Sequence, residues 1–187
     1  MDIIFAGIDP GLHGAIAFID KNNVFIHSPP LLTHNNKKDY DIAKMADILK
    51  LYQNKHVVIC IEAVFAMTAQ GVSSSFNFGR GKGIWEGLCY AMGFEVHMIT
   101  PQKWKKYFNL IQHINKEQKQ NLNRFQIAKL KRDIKTQAKV KSRQLASKLY
   151  PELAHLFQKV NSDGKAEAVL IATYAKGNYN MLKETTI

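Results

Sequence analysis

The chain has 187 residues, a formal net charge of +11 and only two cysteines, Cys60 and Cys89, which lack zinc-binding spacing. A chain of this length can bury a sizeable core without disulfides or a structural metal, so a disulfide-stapled mini-fold is excluded. No apolar stretch approaches the roughly 20 residues of a membrane span, and the first residues predict a strand, not a signal peptide. We therefore expect one domain over residues 1–187, located in the cytoplasm and without membrane contact.

The first third of the sequence predicts a β-hairpin, a third strand, a helix and a fourth strand. Apolar runs indicate strands over Ile3–Asp9 and Ala15–Asp20, which are separated by a glycine-rich turn. Val24–His27 supplies the third strand, and a polar loop then leads to an amphipathic helix over about Asp41–Tyr52. The fourth strand, Val57–Glu62, is apolar throughout, which is typical of a strand covered by helices on both faces.

The remaining elements complete a domain of the α/β class. An antiparallel hairpin combined with later strand-helix-strand connections predicts a mixed five-stranded sheet with helices on both sides. The expected elements are, in order, a helix over Gly79–Met92, a strand over Glu95–Ile99, and helices that begin at Pro101, span Val140–Tyr150 and run from Ser162 or Asp163 to Gly177.

Positive charge is concentrated in one part of the chain. Residues 101–150 carry 14 Lys or Arg against 2 acids, whereas the rest of the chain is nearly neutral. Within this region, about residues 111–136 are polar and poor in apolar side chains, which predicts a basic helical insertion or a mobile arm. A localised basic block attracts polyanions, and nucleic acid is the commonest of these in a cell. The alternative is a solvated helical face without a ligand.

Four acidic residues stand where they could converge on metal ions. Asp9 and Glu62 each end an apolar strand, and an ionised carboxylate there is costly unless a cation or a donor compensates it. Asp163 and Glu167 lie four residues apart at the start of the last helix and share one helical face. Hard carboxylate oxygens on rigid elements suit a pair of Mg²⁺ ions, with Mn²⁺ as the substitute.

Each acid also has a purely structural interpretation. Asp9 beside Pro-Gly could simply form a turn, and Asp163 could simply cap a helix. Glu167 could pair with Lys165 or interact with the helix dipole. The metal hypothesis therefore depends on the four acids together.

The order of four motifs resembles that of RuvC-type Holliday junction resolvases of phages or bacteria. The likeness covers nearly the whole chain apart from about 111–136. It implies an RNase H-like fold and a homodimer that nicks four-way junctions with two Mg²⁺ or Mn²⁺ ions per active site. The motifs are Gly7-Ile8-Asp9-Pro10-Gly11 with Gly14, Ile61-Glu62-Ala63-Val64-Phe65, Phe78-Gly79-Arg80-Gly81-Lys82-Gly83, and Asp163-Gly164-Lys165-Ala166-Glu167-Ala168.

The resemblance assigns catalytic and metal-binding roles to the four acids. Asp9 and Glu62 match the first two acids of the family, and Glu167 matches the last one. The family usually has two aspartates three residues apart at its last acidic pair, whereas Asp163 and Glu167 are four apart. Asp163 is thus a direct metal ligand, a water-mediated ligand or only a helix cap. Phe65 matches an aromatic that contacts bases at the junction centre, or else it packs in the core.

The resemblance also selects basic residues for DNA contact. Lys105 and Lys141 match basic residues near the scissile phosphate, and Lys141 is expected to act in catalysis. Arg80 and Lys82, in the third motif, are expected to contact DNA. The alternative is a general affinity for phosphate that is shared among many neighbouring lysines.

The predicted function is therefore a metal-dependent endonuclease of branched DNA, acting in recombination and repair in a bacterial cell or a phage-infected bacterium. One alternative is a non-catalytic protein that binds branched DNA through the same basic surface. Another is an actin-like nucleotide-binding protein, because the Asp9-Pro10-Gly11 turn resembles the phosphate-binding hairpin of that fold. Actin-like proteins usually contain two copies of the domain, and this sequence has one such turn.

Overall fold

The computed structural model describes residues 2–21, 23–63, 72–111 and 122–184. Short 3₁₀ turns span Pro151–Leu156 and Val160–Ser162. The strands are β1 (Ile4–Asp9), β2 (Ala15–Asp20), β3 (Asn23–His27), β4 (Leu31–His34), β5 (Lys37–Tyr40), β6 (Val57–Glu62) and β7 (Glu95–Ile99). The helices are α1 (Ile42–Lys50), α2 (Val72–Ala91), α3 (Pro101–Tyr107), α4 (Arg124–Leu149), α5 (Asp163–Gly177) and α6 (Tyr179–Glu184).

The main sheet has five strands in the order β3-β2-β1-β6-β7. The pairs β1–β2 and β2–β3 are antiparallel, whereas β6 runs parallel to β1 and β7 parallel to β6. This arrangement confirms the mixed five-stranded sheet that the sequence predicts. β1 and β6 therefore end at the same edge of the sheet, where their last residues are Asp9 and Glu62.

Helices cover both faces of the sheet, which explains why β1 and β6 are apolar throughout. Alternate residues of β1 and β6 enter two separate cores, as the two-residue period of a strand requires. One core contains side chains of α1 and α2, including Met45 and Trp85. The other contains side chains of α3, α4 and α5, including Trp104 and Ala146.

Helix α5 lies directly on β1, and two glycines permit this close approach. A Cβ atom on Gly7 would lie 2.3 Å from the carbonyl oxygen of Ala168 and from the amide nitrogen of Ala172. A Cβ atom on Gly164 would lie 2.2 Å from the carbonyl oxygen of His13. The first turn of α5 is thus held against the turn that follows Asp9.

The structure differs from the sequence-based expectations in several elements, among them α2, which begins at Val72 and not at Gly79, and α6, which was not predicted. The predicted polar loop after β3 contains a separate two-stranded sheet, β4 with β5. The part of the predicted insertion that the structure describes, from Arg124, is continuous with the helix predicted over Val140–Tyr150, and together they form α4. A capping box at Asn123 and Gln126 begins this helix. Residues 112–121 of the predicted insertion lie outside the described residues.

None of the described helices is long and apolar enough to cross a membrane.

Candidate active site

Asp9 is the first acid of the site, at the carboxyl end of β1. Its side chain is partly buried, and the Gly11 backbone N–H donates a hydrogen bond to its Oδ1 at 3.4 Å. Burial raises the pKa of Asp9 well above its ordinary value, and the carboxylates of Glu167 and Glu62 raise it further, while Lys105 opposes them. Asp9 follows Ile8, whose partner in the parallel strand β6 is Ile61, so Asp9 and Glu62 end adjacent strands.

Glu62 is the second acid, at the end of β6, and its side chain is only 5% exposed. The indole Nε1–H of Trp104, which is fully buried, donates a hydrogen bond to Glu62 Oε1 at 2.9 Å. Burial raises the pKa of Glu62, as does the carboxylate of Glu167, whereas Lys105 and the Trp104 hydrogen bond lower it. The glutamate is therefore a buried acid that a neutral donor holds in place.

The two acids of α5 face the same cleft as Asp9. This cleft has a volume of about 580 Å³, and its lining includes Asp9, Asp163 and Glu167. Glu167 lies one helical turn after Asp163, so both side chains leave the helix on one side. The Nζ atom of Lys105 lies 3.1 Å from Glu167 Oε1.

Asp163 is engaged by two cations of α4. The Nζ atom of Lys139 lies 2.9 Å from Asp163 Oδ2, and the Arg143 guanidinium donates a hydrogen bond to Oδ1. Ser162 occupies the N-cap position of α5, but its side chain makes no capping hydrogen bond. Both carboxylate oxygens of Asp163 are thus used in ion pairs with α4.

The structure does not bring Lys141 to the cleft. Its side chain is exposed, whereas Lys139 lines the cleft and contacts Asp163. Residues two apart on a helix point in different directions, while residues four apart, such as Lys139 and Arg143, share a side. The expectation for Lys141 is therefore corrected to Lys139, two residues earlier.

The other residues predicted to contact DNA lie at different distances from the acidic cleft, and one of them lies outside the described residues. Lys105 lies at the acidic site, where its Nζ atom contacts Glu167. Arg80 donates a hydrogen bond to Asp39 and lines a second hollow beside the cleft. Lys82 forms an ion pair with Glu86 of the same helix at 2.6 Å and does not line the cleft. Phe65 lies outside the described residues.

The acidic side chains offer the right donor chemistry for hard divalent cations. Over residues 2–21, 23–63, 72–111 and 122–184, however, no three metal-ligating side chains are grouped closely enough to hold an ion as they stand. Lys105 and Lys139 place their ammonium groups against Glu167 and Asp163. The mutual repulsion of Asp9, Glu62 and Glu167 nevertheless fits a site that a divalent cation would stabilise.

Sequence reasoning missed three residues of this site, Trp104, Lys139 and Arg143. Trp104 stands in the basic segment beside Lys105, where its apolar character indicates only a buried helical position. Lys139 and Arg143 have the four-residue spacing of one helical face, a signal that could have selected them. Their partner Asp163 is distant in sequence, so the pairing itself depends on how α4 packs against α5.

No protein-family model matches the chain, and no curated protein matches it by sequence. Solved structures do match: Thermus thermophilus RuvC in complex with a Holliday junction substrate has 12% sequence identity and a TM-score of 0.52. Another Thermus thermophilus RuvC structure has 14% identity and a TM-score of 0.51. Each alignment covers 95% of this chain and 96% of RuvC.

The sheet order and the flanking helices define the chain as an RNase H-like α/β domain. Within that class, its fold is similar to that of Thermus thermophilus RuvC.

Proposed function

We propose that the protein is a metal-dependent endonuclease that hydrolyses phosphodiesters in branched DNA, chiefly in four-way junctions. One observation carries the proposal: Asp9 and Glu62 end adjacent strands at one edge of a RuvC-like sheet, and Glu167 lines the same cleft as Asp9. A buried cluster of negative charge destabilises a fold unless cations compensate it. Such a cluster is therefore better explained by function than by stability.

In this proposal Asp9, Glu62 and Glu167 hold two divalent ions, Mg²⁺ or Mn²⁺, and Asp163 completes the set. When bound, such ions activate a water molecule and stabilise the leaving oxygen of a phosphodiester. Glu62 keeps one orientation because the Trp104 N–H holds its Oε1. The second oxygen of Glu62 is left for the ion.

The cations at the site act on the DNA backbone. Lys105 and Lys139 now contact Glu167 and Asp163 at 3.1 Å and 2.9 Å. Ions bound to these carboxylates would displace the ammonium groups, which then become available to phosphate oxygens. A cation beside the reacting phosphate stabilises the negative charge that develops on it during hydrolysis.

The rest of the DNA surface is assigned from charge and from the structural neighbour. Residues 101–150 carry most of the positive charge of the chain, and one RuvC structure with this fold contains a Holliday junction. We assign Arg80, Lys82 and Lys141 to DNA binding outside the catalytic cleft, and Phe65 to contact with bases of the DNA. We further propose a homodimer, in the bacterial cytoplasm, whose two sites nick the junction symmetrically and leave 5′-phosphate and 3′-hydroxyl ends.

The experiment is a cleavage assay with purified protein and a synthetic four-way junction. Linear duplex, fork and flap substrates of the same sequence, with Mg²⁺ or with a chelator, are the controls. We expect nicks in the junction that need the metal, and none with the Asp9→Asn variant, which keeps the size of the side chain. Intact junctions at micromolar protein would refute the proposal, and unchanged cleavage by the variant would refute the assigned site.

A second candidate, a junction-binding protein without nuclease activity, is favoured by the ion pairs of Asp163 with Lys139 and Arg143. If these pairs persist with metal and DNA present, they block the acidic side of the cleft. The native protein would then bind the junction tightly in the same assay and produce no nicks.

A further inference from the structure

The hairpin of β4 and β5, residues 31–40, is a small ribbon that stands apart from the main sheet. Its turn residues Asn35 and Asn36 have φ values of 48° and 59°. Two successive positive φ angles characterise a two-residue type I′ turn, which matches the natural twist of a hairpin. Every residue of β4 pairs with one of β5. The ribbon therefore has a defined shape.

The base of this β4–β5 hairpin is fixed beside the acidic site. Tyr40 is only 4% exposed, and its hydroxyl donates a hydrogen bond to the carbonyl oxygen of Pro10 at 3.1 Å. Gly81 of α2 packs beneath it, since a Cβ there would lie 2.2 Å from the Tyr40 hydroxyl oxygen. Pro10 directly follows Asp9, so the hairpin has a fixed position relative to the first acid.

A hollow of about 410 Å³ lies between the hairpin and α2. It is next to the acidic cleft, because Leu12 and Asn77 line both openings. The two neighbouring openings differ in charge. The hollow is lined by the cations Lys37, Lys38 and Arg80 with one acid, Asp39, whereas the cleft is lined by Asp9, Asp163 and Glu167 with one cation, Lys139.

Two cations of the hollow are available to a ligand. Lys37 and Lys38 are exposed, and in the part of the chain that the structure describes neither forms an ion pair. Arg80 differs, because it is paired with Asp39. The side-chain amides of Asn35 and Asn77 add hydrogen-bond donors to the same lining. Unpaired ammonium groups with amide donors form a surface that suits phosphate groups.

We propose that this hollow binds the sugar–phosphate backbone of the DNA that adjoins the cleaved strand, with Lys37 and Lys38 contacting successive phosphates. The inference rests on the proposed nuclease function and deepens it, since it assigns the path that the substrate takes out of the cleft. An acidic cleft repels DNA without metal, so the neighbouring cationic hollow supplies attraction at that edge.

The test compares the native protein with the Lys37→Ala/Lys38→Ala double variant. Junction affinity is measured without divalent metal over a range of salt concentrations, and cleavage is measured separately at saturating protein with Mg²⁺. Each lost phosphate contact reduces the slope of log affinity against log salt by about 0.9. We therefore expect a slope lower by about 1.8 and an affinity at least tenfold weaker at low salt.

The control is the Lys176→Ala/Lys183→Ala double variant. It loses the same charge at the far end of α5 and on α6, away from the cleft. We expect this variant to keep the native salt slope. If both double variants lose the same junction affinity, the loss reflects the net charge of the protein and not a contact at the hollow, and the assigned site is refuted.

A junction with neutral methylphosphonate linkages beside the cleavage position provides the second measurement. These linkages should weaken binding of the native protein and have little effect on the Lys37→Ala/Lys38→Ala variant. The neutral linkages and the lysine substitutions remove the same lysine–phosphate contacts, so their effects should not add. Equal losses in both proteins would overturn the proposal. If the native protein cleaves junctions but the variant binds as tightly as native, this site fails while the proposed function stands. A native protein that binds no DNA refutes both.

Discussion

The indole N–H of Trp104 and the carboxylate of Glu62 form a buried hydrogen bond of 2.9 Å. The next residue, Lys105, forms the ion pair with Glu167. One short helix, α3, therefore contacts two acids that reach the site from different elements, β6 and α5. A displacement of α3 would move both carboxylates together, which makes this helix a positioning element of the proposed metal site.

Replacing Trp104 by Phe should impair metal binding more than folding. The substitution keeps an aromatic ring in the core but removes the N–H that holds Glu62. Loss of such an outer-shell partner typically costs 10–100-fold in metal affinity or activity. We expect the Mn²⁺ affinity, measured by calorimetry, and the cleavage rate at limiting metal to fall by about this factor.

Trp85 provides a matched control for this prediction. It is also fully buried, but its Nε1–H has no hydrogen-bond partner among the described residues. Trp85→Phe removes an unsatisfied donor and should leave the Mn²⁺ affinity unchanged. Equal losses of affinity in the two variants would show that the effect comes from core packing and not from the bond to Glu62.

Without bound metal, Asp9 should make the folded protein less stable as the pH rises. Burial and neighbouring carboxylates raise the pKa of Asp9 above its ordinary value of 3.8. The folded state therefore retains a proton that the unfolded chain has released, so the free energy of unfolding falls as pH rises above 3.8. The Asp9→Asn variant lacks this effect, and in a chelator its Tm advantage over the native protein should grow as the pH rises above 3.8.

The quantity to measure is the difference in Tm between the native protein and Asp9→Asn, because other groups also titrate over this pH range. Burial lowers the pKa of His27, which makes stability rise with pH through 6.5 and so opposes Asp9. His27 is present in both proteins, and its contribution cancels in the difference. Mg²⁺ should raise the native Tm more than the variant Tm. A native protein that gains stability relative to Asp9→Asn at high pH would contradict the burial of this charge.

Close packing of α5 on β1 should make Gly7 sensitive to a single methyl group. In Gly7→Ala the new Cβ would lie 2.3 Å from backbone atoms of Ala168 and Ala172, which cannot move without displacing α5. We expect a loss of about 3 kcal/mol or more in the free energy of unfolding, measured by urea denaturation.

The control is Gly83→Ala, on the exposed side of α2. No atom lies within 4 Å of the new Cβ at this position. Alanine is the better helix former, so we expect a gain of about 0.5–1 kcal/mol in the free energy of unfolding. If Gly7→Ala is as stable as Gly83→Ala, α5 does not pack against β1 as described.

The strands of the main sheet could be predicted because the signal for each is local. β1 and β6 are continuous apolar runs that end in an acid, and their burial on both faces follows from that pattern. The β4–β5 hairpin was not predicted because β5 reads Lys-Lys-Asp-Tyr, with little apolar alternation. Its Asn35-Asn36 turn is a recognisable hairpin signal, but it stands between short polar strands.

Convergence of the acids could be expected from the sequence, whereas their partners could not. Asp9 and Glu62 end neighbouring strands, so topology alone brings them to one edge. The choice of Lys139 over Lys141 depends on the rotation of α4 about its axis, which the basic residues alone do not specify. The Trp104 contact depends on the packing of α3, which residue spacing does not encode.

The role of Asp163 can be decided by removing its charge. If it is a ligand of the proposed metal ions, Asp163→Asn should reduce junction cleavage at limiting Mg²⁺ by at least about tenfold. The substitution also frees Lys139 and Arg143 from their ion pairs, so junction affinity without metal should increase. If Asp163 only caps the helix, Asp163→Asn should leave junction cleavage unchanged, because Asn caps helices as well as Asp does.

The control is Arg143→Gln, which keeps Asp163 but removes one of its partners. It should retain metal-dependent cleavage while weakening DNA binding. If both variants lose cleavage equally and melt at lower temperature, the ion pairs hold α4 on α5, and Asp163 is structural.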